Sequence, residues 1–168
     1  IEGEHMDLSS YSLEDLVLTA IKTEIEAREM YAGIATQTPN AFLKDRLLFL
    51  SDEEDKHRAF LEKVHDRNFP GKEIALPDET PVPLPEVKVE PGIPLTDVFQ
   101  MAMDAEQAAS EFYLEMAKLF PDDKQVRNGL EYLASMEMGH YKMLDIEREE
   151  LARMEDYDAG WELMHLGP

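Results

Sequence analysis

Apolar residues recur in alternating steps of four and three along four stretches of this chain. The first series is Leu13, Val17, Ala20, Glu24, Ala27, Tyr31 and Ile34, and the second is Leu43, Leu47, Leu50, Glu54, His57, Leu61 and Val64. The third is Leu95, Phe99, Ala102, Glu106, Ala109, Tyr113 and Met116, and the fourth is Val126, Leu130, Leu133, Glu137, His140 and Leu144. That spacing places each series on one face of an α-helix, the face that packs inward in a bundle. In every series the apolar seam is interrupted near mid-length by carboxylates or imidazoles.

The boundaries follow from local chemistry. Ser12 can cap the first helix, with Asp15 three residues on as a variant of the capping box. That helix should end before Thr38-Pro39, with Thr38 capping the second helix and Pro39 fitting its first turn. The second helix should run to about Asn68. Phe69 to Pro94 holds seven prolines and no helical period, so it reads as a linker. The third helix should start near Leu95 and stop before Pro121, and the fourth should span about Asp122 to Met154. Residues 155–168, with Trp161, read as a tail or short docking helix. Residues 1–5, ahead of Met6, read as an expression-vector remnant. The pattern predicts an all-α fold over residues 6–154, a four-helix bundle of two antiparallel hairpins joined by the Pro-rich crossover. A helix of about 25 residues is ~38 Å long, which an extended chain at ~3.3 Å per residue crosses in about 12 residues. The linker is longer than that. Its surplus can cover a bundle face as an ordinary surface crossover, or let a hairpin swap between two chains.

The two hairpins are copies. Glu24, Ala27 and Tyr31 recur as Glu106, Ala109 and Tyr113 at an offset of 82, and Glu54 and His57 recur as Glu137 and His140 at 83. The Glu-x-x-His spacing alone carries no information here, because each of the 5 histidines has a Glu three residues upstream. Only Glu54/His57 and Glu137/His140 are both repeated and set in an apolar seam; His65 and His165 read as surface residues, and His5 belongs to the excluded start. A core with four carboxylates needs compensation, since an ionised carboxylate buried without a partner is strongly destabilising. Two divalent cations supply it: four positive charges against four Glu, with neutral imidazoles completing the ligand sets. Carboxylate and imidazole donors suit Fe, Mn or Zn. The expected metal ligands are therefore Glu24, Glu54, His57, Glu106, Glu137 and His140.

Composition narrows the setting. The net charge of −21 opposes binding to nucleic acid or to an anionic membrane surface. With Cys 0, disulfides, thiolate metal sites and thiol redox chemistry are excluded. No apolar run approaches the ~18 residues of a membrane span, and a cytoplasmic location is expected.

The stretches Glu24-Ile-Glu-Ala-Arg-Glu-Met-Tyr31, Glu53-Glu-Asp-Lys-His57, Glu106-Gln-Ala-Ala-Ser-Glu-Phe-Tyr113 and Glu137-Met-Gly-His140 resemble the ferritin-like di-iron carboxylate superfamily. In such bundles two helices each give a Glu and the other two each give a Glu-x-x-His. Within the superfamily the chain is most similar to the rubrerythrin family, in a form without the rubredoxin domain. The resemblance implies two iron ions per chain (Mn or Zn being alternatives), with Glu54 and Glu137 bridging or chelating, Glu24 and Glu106 more terminal, and His57 and His140 each on one iron. It also implies that Tyr31 and Tyr113 hydrogen-bond site carboxylates, although both also fit as core aromatics. Glu53 either orients a histidine through its second ring nitrogen or faces solvent. The small residues Ala20, Ala27, Ala102 and Ala109 leave room for metals and a small oxidant, or simply allow close helix packing.

The implied activity is reduction of hydrogen peroxide at the di-iron site, with ferroxidase or iron handling with O2, or a metal-stabilised structural bundle, as alternatives. Two departures from the family bear on it. Ala109 stands where rubrerythrins typically carry a further carboxylate used in redox-linked iron movement. A chain without cysteine also needs an external electron donor, such as a rubredoxin-like protein. A homodimer is expected.

Overall fold

The computed structural model describes the backbone of residues 6–165 and the side chains of residues 6–154. Residues 1–5, including His5, and the side chains of Trp161 and His165 lie outside the described residues. Four helices follow in order: α1 (Leu13–Gln37), α2 (Ala41–Asn68), α3 (Leu95–Ala117) and α4 (Lys124–His165). The fold is an all-α bundle of the ferritin-like kind, with α1 packed on α2 and α3 packed on α4.

The helix ends show what the sequence does locally. Ser12 and Asp15 form a complete capping box: Ser12 Oγ accepts from Asp15 N at 3.1 Å, and Asp15 Oδ2 accepts from Ser12 N at 3.2 Å. At the next boundary the expected cap is displaced. Thr38 closes α1, its hydroxyl donating to Ile34 O at 2.8 Å. Asn40 caps α2 instead, with Oδ1 accepting from Phe42 N and Leu43 N at 3.0 and 3.2 Å. One amide oxygen thus serves two otherwise unpaired N–H groups, which Thr38, before Pro39, does not reach. α4 also continues past Met154 to His165; no proline interrupts it before Pro168.

Two apolar clusters fill the bundle, one toward each end. The first joins Leu16, Val17, Leu61, Phe112, Met116, Leu130 and the crossover's Val82. The second joins Ile34, Leu47, Leu50, Phe99, Met103 and Leu144. The seam carboxylates and imidazoles lie in the layer between them. The Phe60 ring of α2 lies against α4 where Gly129 has no side chain: a Cβ there would lie 2.2 Å from it. On the α1–α3 side the crossover runs across the bundle. Val82 is buried in the first cluster, Leu84 packs against it, and Val87 and Ile93 pack against the second. Among the described residues no helix is long and apolar enough to cross a membrane.

Candidate metal centre

Each hairpin contributes one lone Glu and one Glu-x-x-His, and the bundle brings all six side chains together. Glu24 comes from α1, Glu54 and His57 from α2, Glu106 from α3, and Glu137 and His140 from α4. Each is at most 6% exposed. They form two overlapping groups, Glu24–Glu54–His57–Glu137 and Glu54–Glu106–Glu137–His140, in each of which the donor atoms lie within 4.8 Å of one another. Glu54 and Glu137 belong to both.

The two shared carboxylates are split between the positions. His57 Nδ1 lies 3.0 Å from Glu54 Oε2 and 2.9 Å from Glu137 Oε1. His140 Nδ1 lies 3.1 Å from the opposite oxygens, Glu54 Oε1 and Glu137 Oε2. Glu24 Oε2 stands 3.7 Å from His57 Nδ1, and Glu106 Oε2 stands 3.7 Å from His140 Nδ1. The imidazoles face each other nearly parallel, with centroids 5.5 Å apart and planes inclined by 18°.

These close approaches are not aligned as hydrogen bonds. Both oxygens of Glu54, Glu137 Oε1 and both ring nitrogens of His57 and His140 are buried without a hydrogen-bond partner. Buried polar groups normally find partners. Here the donor atoms converge on common points instead of on each other, and oxygen with imidazole nitrogen suits a divalent Fe, Mn or Zn ion. The residues therefore fit a pair of metal ions held by these six side chains. With protons in place of metal, burial opposes the charge on His57, but Glu137, Glu24 and Glu54 outweigh it and push its pKa up to about 12. His140 is raised in the same way by Glu106, Glu137 and Glu54. Burial, then the neighbouring Glu137, raises Glu24 well above the ordinary carboxyl value; burial and Glu54 do the same to Glu106. Glu137 goes the other way: burial raises it, but His140 and His57 prevail and bring it to about 2.

The tyrosines cross between hairpins. Tyr31 of α1 donates its hydroxyl to Glu106 Oε1, and Tyr113 of α3 donates to Glu24 Oε1. Each leaves the other carboxylate oxygen facing the site. Burial, then the nearby Glu106 and Glu24 respectively, holds both phenols well above their usual pKa, so they remain donors. Replacing Tyr113 with Phe strands a buried carboxylate oxygen, and should cost about 1–3 kcal/mol and lower Tm by roughly 2–4 °C per kcal/mol. Thermal unfolding of Tyr113→Phe and Tyr31→Phe beside the wild type checks this, and the pseudo-symmetry predicts similar losses.

A chain-family model for Rubrerythrin matches residues 15–147. The chain belongs to the rubrerythrin family. A solved structure of a hypothetical protein from Pyrococcus furiosus is similar to this rubrerythrin-family chain at 35% identity and a TM-score of 0.74, covering 88% of this chain and 95% of that one. No match was found among curated proteins.

Two expectations need correction. Glu53 has no contact with either imidazole and instead pairs with Lys56, one turn along α2, with its own side chain only 13% exposed. His65 is not a surface residue: it is 0% exposed, with its ring 5.2 Å from Phe69 and Nε2 4.0 Å from Glu14. It follows Leu61 by one turn, on the edge of the seam, and the start of α1 and Phe69 cover it. The crossover covers a bundle face, as its surplus length allows, and that face lies beside the metal centre, which the sequence did not show. A cavity of about 860 Å³ opens beside the metal centre between α1 and α3, and residues 78–80 and 83–88 form its outer wall. The signal was the apolar series Val82, Leu84 and Val87 among the prolines.

Proposed function

We propose that this rubrerythrin-family chain reduces hydrogen peroxide to water at a carboxylate-bridged pair of iron ions, with electrons from an external donor such as a rubredoxin-like protein. The observation that carries the reading is the division of Glu54 and Glu137 between two ligand sets, one oxygen toward each. Family membership supports the choice of iron. Iron bound there supplies the two electrons that O–O cleavage consumes, and the positive charge that offsets the oxygen anions it creates.

The chain's own residues set the conditions. Glu54 and Glu137 fix the separation of the two positions from α2 and α4. Tyr31 and Tyr113 hold Glu106 and Glu24 in orientation through protons that stay on the phenol oxygens. Ala27 and Ala109 line the cavity without filling it, leaving the α1–α3 side free for an oxidant. With no cysteine in the sequence, the chain has no thiol reductant of its own.

Ferroxidase activity is the second reading, and the exposed acids Glu26, Asp78, Glu79 and Glu86 around the cavity favour it by attracting cations. Oxidant preference separates the two. Stopped-flow mixing of Fe(II)-loaded protein with hydrogen peroxide or O2 should show much faster oxidation by peroxide. Faster oxidation by O2 would replace this reading with the ferroxidase one.

A further inference from the structure

The cavity beside the metal centre is far larger than hydrogen peroxide requires. At about 860 Å³ it lies within the roughly 300–1,000 Å³ range of pockets for organic ligands, whereas a water molecule occupies ~30 Å³. Its floor is the site itself, with Glu24, Glu54, Glu106 and Glu137 in the lining. Its walls are mixed: Ala27 and Met30 on α1, Ala105 and Ala109 on α3, and Leu84 and Val87 on the crossover form an apolar strip, with charged side chains toward the rim. A smaller groove of about 350 Å³ adjoins it and shares Met30 and Val87 as a common wall. The crossover is clamped on both sides of the metal layer, by Val82 and Leu84 in one apolar cluster and Val87 against the other. Lys22 Nζ further ties α1 to the crossover by donating to Asp78 O at 3.0 Å. The wall is therefore a fixed part of the fold.

We propose that this chamber admits organic hydroperoxides, and that the chain reduces neutral alkyl or aryl hydroperoxides as well as hydrogen peroxide. The inference rests on the peroxide-reducing reading above and names a further substrate class for the same site. The hydroperoxide group would meet the carboxylate floor while the organic group lies against Met30, Leu84 and Val87, where burial of apolar surface favours it. Met30 suits such a wall, because its unbranched thioether adapts to varied shapes. Around the opening Glu26, Asp78, Glu79 and Glu86 outnumber Lys22, which pairs with Glu26 at 3.0 Å, and Lys88; within a net charge of −21 this balance disfavours substrates that carry a carboxylate. The step balances. The O–O bond breaks, the carbon-bearing oxygen leaves as an alcohol and the other as water, with two electrons from the reduced site and two protons from solvent.

The test uses the full chain, loaded anaerobically with Fe(II) and mixed in single turnover with hydrogen peroxide or cumene hydroperoxide. Both should oxidise the wild type. Met30→Trp, which fills the chamber from its α1 wall, should slow cumene hydroperoxide by about tenfold or more and leave hydrogen peroxide within about threefold, while Met30→Leu should leave both near wild type. A second readout needs no turnover: the product alcohol, 2-phenyl-2-propanol, should give a saturation-transfer NMR signal with Zn(II)-loaded wild type that Met30→Trp removes. The comparison of oxidants and the alcohol signal in the wild type stand even if Met30→Trp does not fold. Rapid oxidation by hydrogen peroxide with none by cumene hydroperoxide, and no alcohol signal, would overturn this inference and leave the peroxide reading intact. Failure of both oxidants would overturn both. Equal slowing of the two oxidants by Met30→Trp would show that the chamber does not discriminate, which also overturns the inference.

Discussion

Loading the full chain with a divalent metal at about a thousandfold above Kd should stabilise it by ~4 kcal/mol, raising Tm by roughly 8–16 °C for a chain of this size. The effect follows from burying Glu24, Glu54, Glu106 and Glu137 in one layer between apolar clusters, where without metal their mutual repulsion and desolvation oppose folding. The shift should also grow with pH, and the sign comes from the protons that metal displaces. Glu24 and Glu106 are raised above 4.5 in the metal-free fold. Their proton-linked stabilisation is complete below 4.5 and is lost as pH rises through their folded-state values. His57 has the same sign: its contribution is complete below 6.5 and is lost as pH rises through about 12. Metal must replace these protons, so its affinity climbs with pH. Thermal unfolding with and without Mn(II) should therefore show a larger metal-induced shift at about pH 8 than at about pH 5. A shift that is absent, or independent of pH, would contradict the site as described.

Glu54→Ala should have the largest effect of any single ligand substitution, because Glu54 offers one oxygen to each position. Partners outside a ligand set already change affinity by roughly 10–100-fold; loss of a ligand common to both positions should exceed that and leave neither metal tightly held. Glu24→Ala removes a ligand from one group only and should leave one tight site. In the metal-free form Glu54→Ala should lose some stability, because it removes a carboxylate partner of the buried His57 and His140, yet it should still unfold cooperatively. That combination, an intact fold with no metal response, separates loss of the site from misfolding. Calorimetric metal titration beside thermal unfolding of the three proteins reads all of it. Two tight sites retained in Glu54→Ala would refute the shared role of Glu54.

Most of the bundle was legible because its helices are strongly periodic and its hairpins are copies. The steps of three and four through Leu47, Leu50, Glu54, His57 and Leu61 named the inward face, and the offset between copies separated two Glu-x-x-His pairs from the other three. Side chains at the edge of that face were harder to place. His65 lies beside the seam, and only packing by Phe69 and the start of α1 buries it. Glu53 precedes Glu54, yet the helical step of about 100° turns it off the seam toward Lys56. Helix ends depended on atomic reach, so Asn40 displaced Thr38 as a cap. The surplus length of the crossover pointed to a covered bundle face, but not to which face, because proline removes the period that marks buried positions. Its apolar anchors, Val82, Leu84 and Val87, acquire meaning only where α1 and α3 leave the metal centre open.

We propose that these six buried side chains hold two metal ions through two shared carboxylates. Anaerobic titration of the metal-free full chain with Fe(II), followed by optical and Mössbauer spectroscopy, tests it most directly. Binding should saturate at two irons per chain, with the pair magnetically coupled after oxidation. Saturation at one iron, two uncoupled irons, or no tight binding would contradict it.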